Sequence, residues 1–212
     1  MGRLWWVVVA LVALVVGCQS TDSGRTEASE FDADQGAVGL ATFAGGCFWC
    51  MQPPFDRTEG VLSTTVGYTG GTEENPVYEE VAGGQTSHVE AVEVRFDPEL
   101  VTYEELLEVF WRSIDPTDDG GQFADRGAHY RTAIFYHDEE QREVAEASRE
   151  AMDRDGPFEE PIVTEIRPAS TFWVGEEYHQ DYYLKNPSHY QAYYAGSGRK
   201  GFLEETWGDD LP

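Results

Sequence analysis

Leu40-Ala41-Thr42-Phe43-Ala44-Gly45-Gly46-Cys47-Phe48-Trp49-Cys50 joins an apolar run to a glycine pair and two thiols three residues apart. Residues 40–44 read as a buried strand, and residues 47–58 as a helix entered directly from the glycines. Pro53 and Pro54 would be tolerated only in the first turns of that helix, where no N–H is needed for the ladder. A cysteine at a helix start faces unpaired N–H groups and the positive end of the macrodipole, and both favour thiolate over thiol. The i, i+3 spacing puts both sulfurs on one side, close enough for a disulfide. Two inert structural cysteines would be the simpler reading, but the glycines and the spacing favour redox chemistry.

Working outward, strands are predicted over 61–68, 88–96 and 129–136, with a helix over 103–114 between the last two. The resulting order, β-α-β-β-α-β, is that of a ferredoxin-like α+β core. Asp138 with Gln141 resembles a capping box opening an added helix over 139–152, and Thr102 with Glu105 offers the same signature for the second core helix. Gly156-Pro157 ends the added helix, and 161–166 reads as one more short strand. Beyond Arg167 the chain is rich in Tyr, His, Gly and Pro and is predicted to wrap the domain irregularly, with one helical turn near 176–184. The loops 69–87 and 115–128 are long for connectors, which points to function.

Ahead of this domain, Arg3 and the apolar run Leu4–Val16 read as a signal peptide over 1–17, too short for a comfortable membrane span. Val15-Val16-Gly17-Cys18 resembles a bacterial lipobox, which would make Cys18 the lipidated first residue of the mature chain. Residues 18–36 are polar and acidic and read as a flexible tether, leaving 37–212 as one domain with a sizeable core. Such a leader would place the protein outside the cytoplasm, anchored to a bacterial membrane at its periplasmic face or the cell surface. The net charge is −26, and Lys185 and Lys200 are the only lysines among 14 basic residues. Nucleic-acid binding is excluded because phosphate contacts need a basic patch. The acidity must coat a folded surface and is of the kind that suits a halophile.

If Cys18 carries the anchor, only Cys47 and Cys50 remain for chemistry. A zinc site wants four Cys or His ligands, and the five histidines show no ligand spacing, so no metal is expected. In an oxidising compartment the pair would cycle through a disulfide and need an external reductant. On strand 88–96, alternation places Glu90 with Val92, Val94 and Phe96 on the core-facing side. A desolvated carboxyl there holds its proton near neutrality, as a general acid must, unless the strand end turns it to solvent. Asp125 and Tyr130 sit where one sheet edge could present them, and Tyr78 lies in the first long loop. The two phenol hydroxyls either donate hydrogen bonds to a polar oxygen or simply pack. Phe48 and Trp49 offer an apolar wall beside the nucleophile. His88 reads as a strand-edge residue, the tail tyrosines 182, 183, 190, 193 and 194 as packing, and His179 is undecided. Thiolate, protonated acid, hydroxyl donors and aromatic wall together suit attack on a sulfoxide sulfur, giving a sulfenic acid that a second thiol condenses to a disulfide.

Several segments are similar to the A-type peptide methionine sulfoxide reductases. They are GGCFWC at 45–50, GYTGG at 67–71, NPVYEEV at 75–81, SHVEAVEVRFDP at 87–98, DRGAHYRTAIFYHDEEQ at 125–141 and EEYHQDYYLKNP at 176–187. The resemblance implies Cys47 as nucleophile and Glu90 as acid, Tyr78 and Tyr130 on the sulfoxide oxygen, Phe48 and Trp49 on the methyl group, and Asp125 in support. It also implies the S epimer of free or protein-bound methionine sulfoxide as substrate, a thioredoxin-like reductant, no prosthetic cofactor and a monomer. Many members carry resolving cysteines near the C-terminus; here none follows Cys50, so resolution falls to Cys50 or to an external thiol, and Cys50 is the choice. Two other classes compete: a thioredoxin-like disulfide oxidoreductase, which the element order does not favour, and a lipid-anchored binding module with inert thiols.

Overall fold

The computed structural model describes residues 37–208, together with Gly2 and Leu211. Cys18 and the tether 18–36 lie outside the described residues, as does all of the leader 1–17 but Gly2. The core opens with β1 (Gly39–Gly45), α1 (Phe48–Asp56), β2 (Val61–Thr69), a short α2 (Tyr78–Ala82) inside the first long loop, and β3 (Val89–Phe96). It continues with α3 (Tyr103–Trp111), two-residue strands β4 (Gly121–Gln122) and β5 (Asp125–Arg126), a 3-10 turn (Ala128–Tyr130) and β6 (Thr132–Tyr136). Then come α4 (Glu139–Asp155), β7 (Glu165–Pro168), β8 (Trp173–Val174), α5 (Tyr182–Lys185), α6 (Pro187–Gly196) and α7 (Arg199–Trp207).

The main sheet runs β7-β6-β1-β3-β2-β8, and its inner four strands are antiparallel at every junction. That is the ferredoxin-like order: the strands at the two ends of α1 are separated in the sheet by β3, and those at the two ends of α3 by β1. β7 joins β6 in parallel and β8 joins β2 antiparallel. Alternation along β1 and β3 sends Ala41, Phe43, Val92, Val94 and Phe96 to one face, under α1 and α3. There Phe43 stacks on Phe55 and Phe110 at 5.1 and 5.2 Å between ring centroids. Burying Leu106, Leu107 or Phe110 contributes roughly 1.5–3 kcal/mol each. The opposite face, with Ala44, Ala91 and Phe135, is covered by Ala169 and Phe172.

The boundaries differ where tertiary contacts override local pattern. Helix α1 ends at Asp56, two residues short of the expected end, and carries Pro53 and Pro54 in its second turn. The strand predicted over 129–136 starts at Thr132, so Tyr130 lies on a 3-10 turn at its mouth. The strand expected over 161–166 is displaced to 165–168, where β6 offers partners. Thr102 and Glu105 make the full reciprocal cap on α3. On α4, Asp138 accepts from the Gln141 N–H at 2.8 Å, but the Gln141 side chain reaches the His137 N–H and the Leu40 carbonyl instead of closing a box. The tail does wrap the domain, as three helices rather than as irregular chain with one helical turn. Gln180 bridges to the backbone of Val66, and Asp181 to Gln52, fixing this tail against β2 and α1. Among the described residues no helix is long and apolar enough to cross a membrane.

Candidate active site

β1 delivers the chain to Gly46, which turns at φ +81°. A Cβ there would lie 2.6 Å from the Gln122 Cβ and 2.9 Å from the Arg199 guanidinium, so only glycine fits. Cys47 is the N-cap of α1, and its carbonyl accepts from the N–H groups of Cys50 and Met51 at 3.0 and 3.3 Å. Both sulfurs are free thiols and both are buried, at 5% and 2% exposure.

Glu90, paired in register with Tyr68 of β2, is 1% exposed, and its Oε2 accepts from the Phe48 N–H at 3.0 Å. Burial pushes its carboxyl well above the usual range, helped by Cys47 and Asp125; the Phe48 N–H pulls the other way and does not prevail. With Oε2 occupied as an acceptor, the proton belongs on Oε1.

The helix start predicts a thiolate at Cys47, and burial overrides it. Desolvation pushes the Cys47 thiol well up, with Cys50 and Asp125 adding to the rise and the Tyr193 hydroxyl opposing it. A helix terminus supplies about 0.3–1 kcal/mol, against desolvation shifts of up to roughly 3–5 units for a fully buried group. Cys50 moves down instead, through the Cys47 hydrogen bond and, against burial, the Arg199 charge. The resting pair therefore keeps Cys47 as a thiol.

The remaining predicted residues ring this centre. Glu176 ties Tyr78 in place: its two oxygens accept from the Tyr78 N–H at 2.8 Å and from the Tyr68 hydroxyl at 2.6 Å. Burial, with Glu90 and Cys47 nearby, pushes the Tyr78 phenol up to about 12 and the Tyr130 phenol higher still, so both stay neutral donors. Phe48 is buried against Tyr68, and Trp49 stacks on Tyr182 at 3.8 Å with 7° between planes. Asp125, half-buried on β5, accepts from the Tyr193 hydroxyl at 2.5 Å.

Three residues at or beside the site were not legible. Tyr193, read as packing, lies edge-on to Trp49 and donates its hydroxyl to Asp125, with the Cys47 sulfur beside the phenol oxygen. The Tyr190, Tyr193 and Tyr194 spacing on a helix opened by Pro187 was the available signal. His179 is fully buried, and its Nδ1 accepts from the Trp49 indole N–H at 3.0 Å, which fixes the wall's orientation. Arg199, deep behind Gly45, had no signal in the pattern. His88 ties the first long loop instead, accepting from the Gly71 N–H and donating to the Glu73 carbonyl. Among the described residues no group of three His, Cys, Asp or Glu converges as a metal site.

Fold and site together define a thiol-dependent oxidoreductase with a buried acid beside a paired cysteine. Residues 39–211 match the family described as peptide methionine sulfoxide reductase. Relatives named peptide methionine sulfoxide reductase MsrA include that of Bacillus pumilus, 58% identical over 80% of this chain and 96% of its own, and that of Bacillus subtilis, 57% identical over 80% and 96%. Among solved structures, reduced Mxr1 from Saccharomyces cerevisiae matches with a TM-score of 0.67 at 32% identity, covering 71% of this chain and 86% of its own. Methionine sulfoxide reductase A of Corynebacterium diphtheriae matches with a TM-score of 0.63 at 34% identity, covering 73% and 77%. The chain belongs to the peptide methionine sulfoxide reductase family, and its activity is the reduction of methionine sulfoxide in protein repair.

Proposed function

We propose that this domain reduces the S epimer of methionine sulfoxide through Cys47, Glu90 and Cys50 in sequence. The Cys47 sulfur attacks the sulfoxide sulfur while Glu90 gives its proton to the oxygen, which Tyr78 and Tyr130 hold by neutral hydrogen bonds. The Cys47–substrate S–S bond then breaks as the oxygen passes from the substrate sulfur to the Cys47 sulfur, the thiol proton of Cys47 replaces the one Glu90 gave, methionine leaves, and Cys47 is left as a sulfenic acid. Cys50 then attacks that sulfur, water departs and a Cys47–Cys50 disulfide forms. Phe48 and Trp49 pack on the methyl group. A bound sulfoxide also answers the raised Cys47 thiol, because its positive sulfur end lies where the thiolate must form. Both sulfurs and every donor come from one chain, so a monomer suffices.

The observation that carries this reading is Glu90, buried to 1% with its Oε2 on the Phe48 N–H, one residue from the nucleophile. Glu90→Gln keeps the acceptor but has no acid proton to give, and reduction is expected to slow by roughly 10²-fold or more. A rate within a few-fold of the parent would rule Glu90 out as the acid.

Re-reduction falls to a thioredoxin-like dithiol, in keeping with Mxr1 of Saccharomyces cerevisiae, which has a structure in complex with Trx2. No prosthetic group enters the cycle. The leader and Cys18 support a lipid anchor on an extracytoplasmic membrane face, and the family match begins downstream of both, at residue 39. Labelling with a tritiated fatty acid should mark the parent protein and not Cys18→Ala; equal labelling would remove the anchor.

A further inference from the structure

Arg199 is a buried cation with no anion beside it among the described residues. It is 1% exposed, at the start of α7, and none of the described residues offers it a carboxylate. Its Nη1 donates to the Ser113 carbonyl at 2.5 Å and its Nη2 to the Gly45 carbonyl at 2.8 Å. The Met51 sulfur lies 3.5 Å from Nη1, and the guanidinium carbon sits 4.7 Å over the Phe123 ring. Two carbonyls would be served equally well by neutral donors. Burying a full positive charge is costly unless an anion meets it. Arg199 and Cys50 line the same cavity of about 150 Å³, which lies between α1, α3, α6 and α7. The one anion that the reaction cycle creates on this side of the site is the Cys50 thiolate.

We propose that Arg199 is the positioning counter-charge for the Cys50 thiolate, making Cys50 the attacking sulfur in disulfide formation and the departing sulfur in re-reduction. This rests on the function proposed above. In the first step Cys50 S⁻ attacks the Cys47 sulfur, the S–S bond forms, and the Cys47 S–O bond breaks. The released hydroxide takes up one proton as water, and no electrons enter from outside. In the second, a thiolate of the dithiol reductant attacks the Cys47 sulfur and the S–S bond breaks, returning its electron pair to Cys50. A thiol stabilised as thiolate leaves faster, so the same charge serves both directions and selects Cys47 as the sulfur the reductant meets.

The other charges around Cys50 do not replace Arg199. Glu90 on β3 and Asp125 on β5 oppose a thiolate, whereas the Cys47 thiol on α1 favours it by hydrogen bonding. Tyr190 and Tyr194 on α6 are neutral phenols pushed up by burial. Arg57 and Arg112, just past the ends of α1 and α3, and Lys200 on α7 line the same cavity, but Arg57 is exposed, Arg112 is paired with Glu108, and Lys200 with Glu204.

The test follows the ultraviolet absorbance of thiolate against pH in Cys47→Ser protein, as a difference from the Cys47→Ser, Cys50→Ser double variant. Despite burial, the Cys50 midpoint should lie below the ~8.5 of a free thiol. Adding Arg199→Met should raise it by about one unit, cutting the thiolate fraction roughly tenfold at a pH well below the midpoint, and Arg199→Lys should restore most of it. A merely structural arginine would leave the midpoint where it is, and an unmoved midpoint in folded Arg199→Met protein overturns the proposal. If Arg199→Met does not fold, Arg199→Gln takes its place, and an unmoved midpoint there overturns the proposal just as directly. A single-turnover assay on the parent chain separates the two readings: absence of methionine would undo the proposed function, whereas methionine with an unmoved Cys50 midpoint would undo only the role of Arg199.

Discussion

At the scale of single residues the site is governed by desolvation. Glu90 and Cys47 are both buried to a few per cent, and both are held in their neutral forms in the resting protein. This has a consequence for stability that is separate from catalysis. A carboxyl whose folded pKa is raised above the unfolded ~4.3 binds its proton more tightly when folded. Its contribution is fully present below the unfolded value and is lost as pH rises towards the folded one. Glu90→Gln cannot ionise and escapes that loss. The stability of Glu90→Gln relative to the parent, from urea melts, is therefore expected to increase as pH is raised from about 4.3 towards neutrality. A difference that is flat or falls with pH would show that Glu90 ionises freely. In the parent, kcat/KM should fall as pH rises through the folded Glu90 pKa, because the proton to be donated is gone.

At the scale of elements, what was legible followed from periodicity and caps, and what was not followed from tertiary contact. The alternation along β3 put Glu90 on the core side because a strand has period two, and the structure has it there. Thr102 and Glu105 announced α3, and both arms of that cap are formed. Thr102→Ala should cost about 1 kcal/mol in thermal or urea unfolding and leave kcat unchanged, since the bonds of Thr102 stay within the first turn of α3. An unchanged midpoint would mean that the cap contributes nothing. Along α6, Tyr190, Tyr193 and Tyr194 share one side, which signals a helix but reads equally well as packing. The roles of Tyr193 and His179 lie beyond such a pattern: each acts through a partner far along the chain, Asp125 for one and Trp49 for the other. Arg199 is a further step away, because only the close approach of α7 to the end of β1 gives a buried arginine its meaning.

At the scale of the whole molecule, the charge of −26 and the buried thiol pair act in opposite regimes. Surface carboxylates repel over distance, and the Debye length falls from about 30 Å at 0.01 M salt to about 3 Å at 1 M. Sodium chloride raised across that range should increase the melting temperature of the domain; a decrease would mean that the acidic surface does not strain the fold. Asp125, Glu90 and Arg199 sit within the site and are screened far less, so the division of labour between the two sulfurs should persist at high salt. That division is the central claim, and one measurement reaches it directly. Cys50→Ser protein, free of reductant, is mixed with excess methionine sulfoxide, and released methionine and the site of a sulfenic-acid-trapping adduct are read by mass spectrometry. One methionine per chain with the adduct on Cys47 is the predicted result, with the parent protein instead ending in a Cys47–Cys50 disulfide. No methionine from Cys50→Ser, or a parent protein that turns over once without forming that disulfide, would contradict the account.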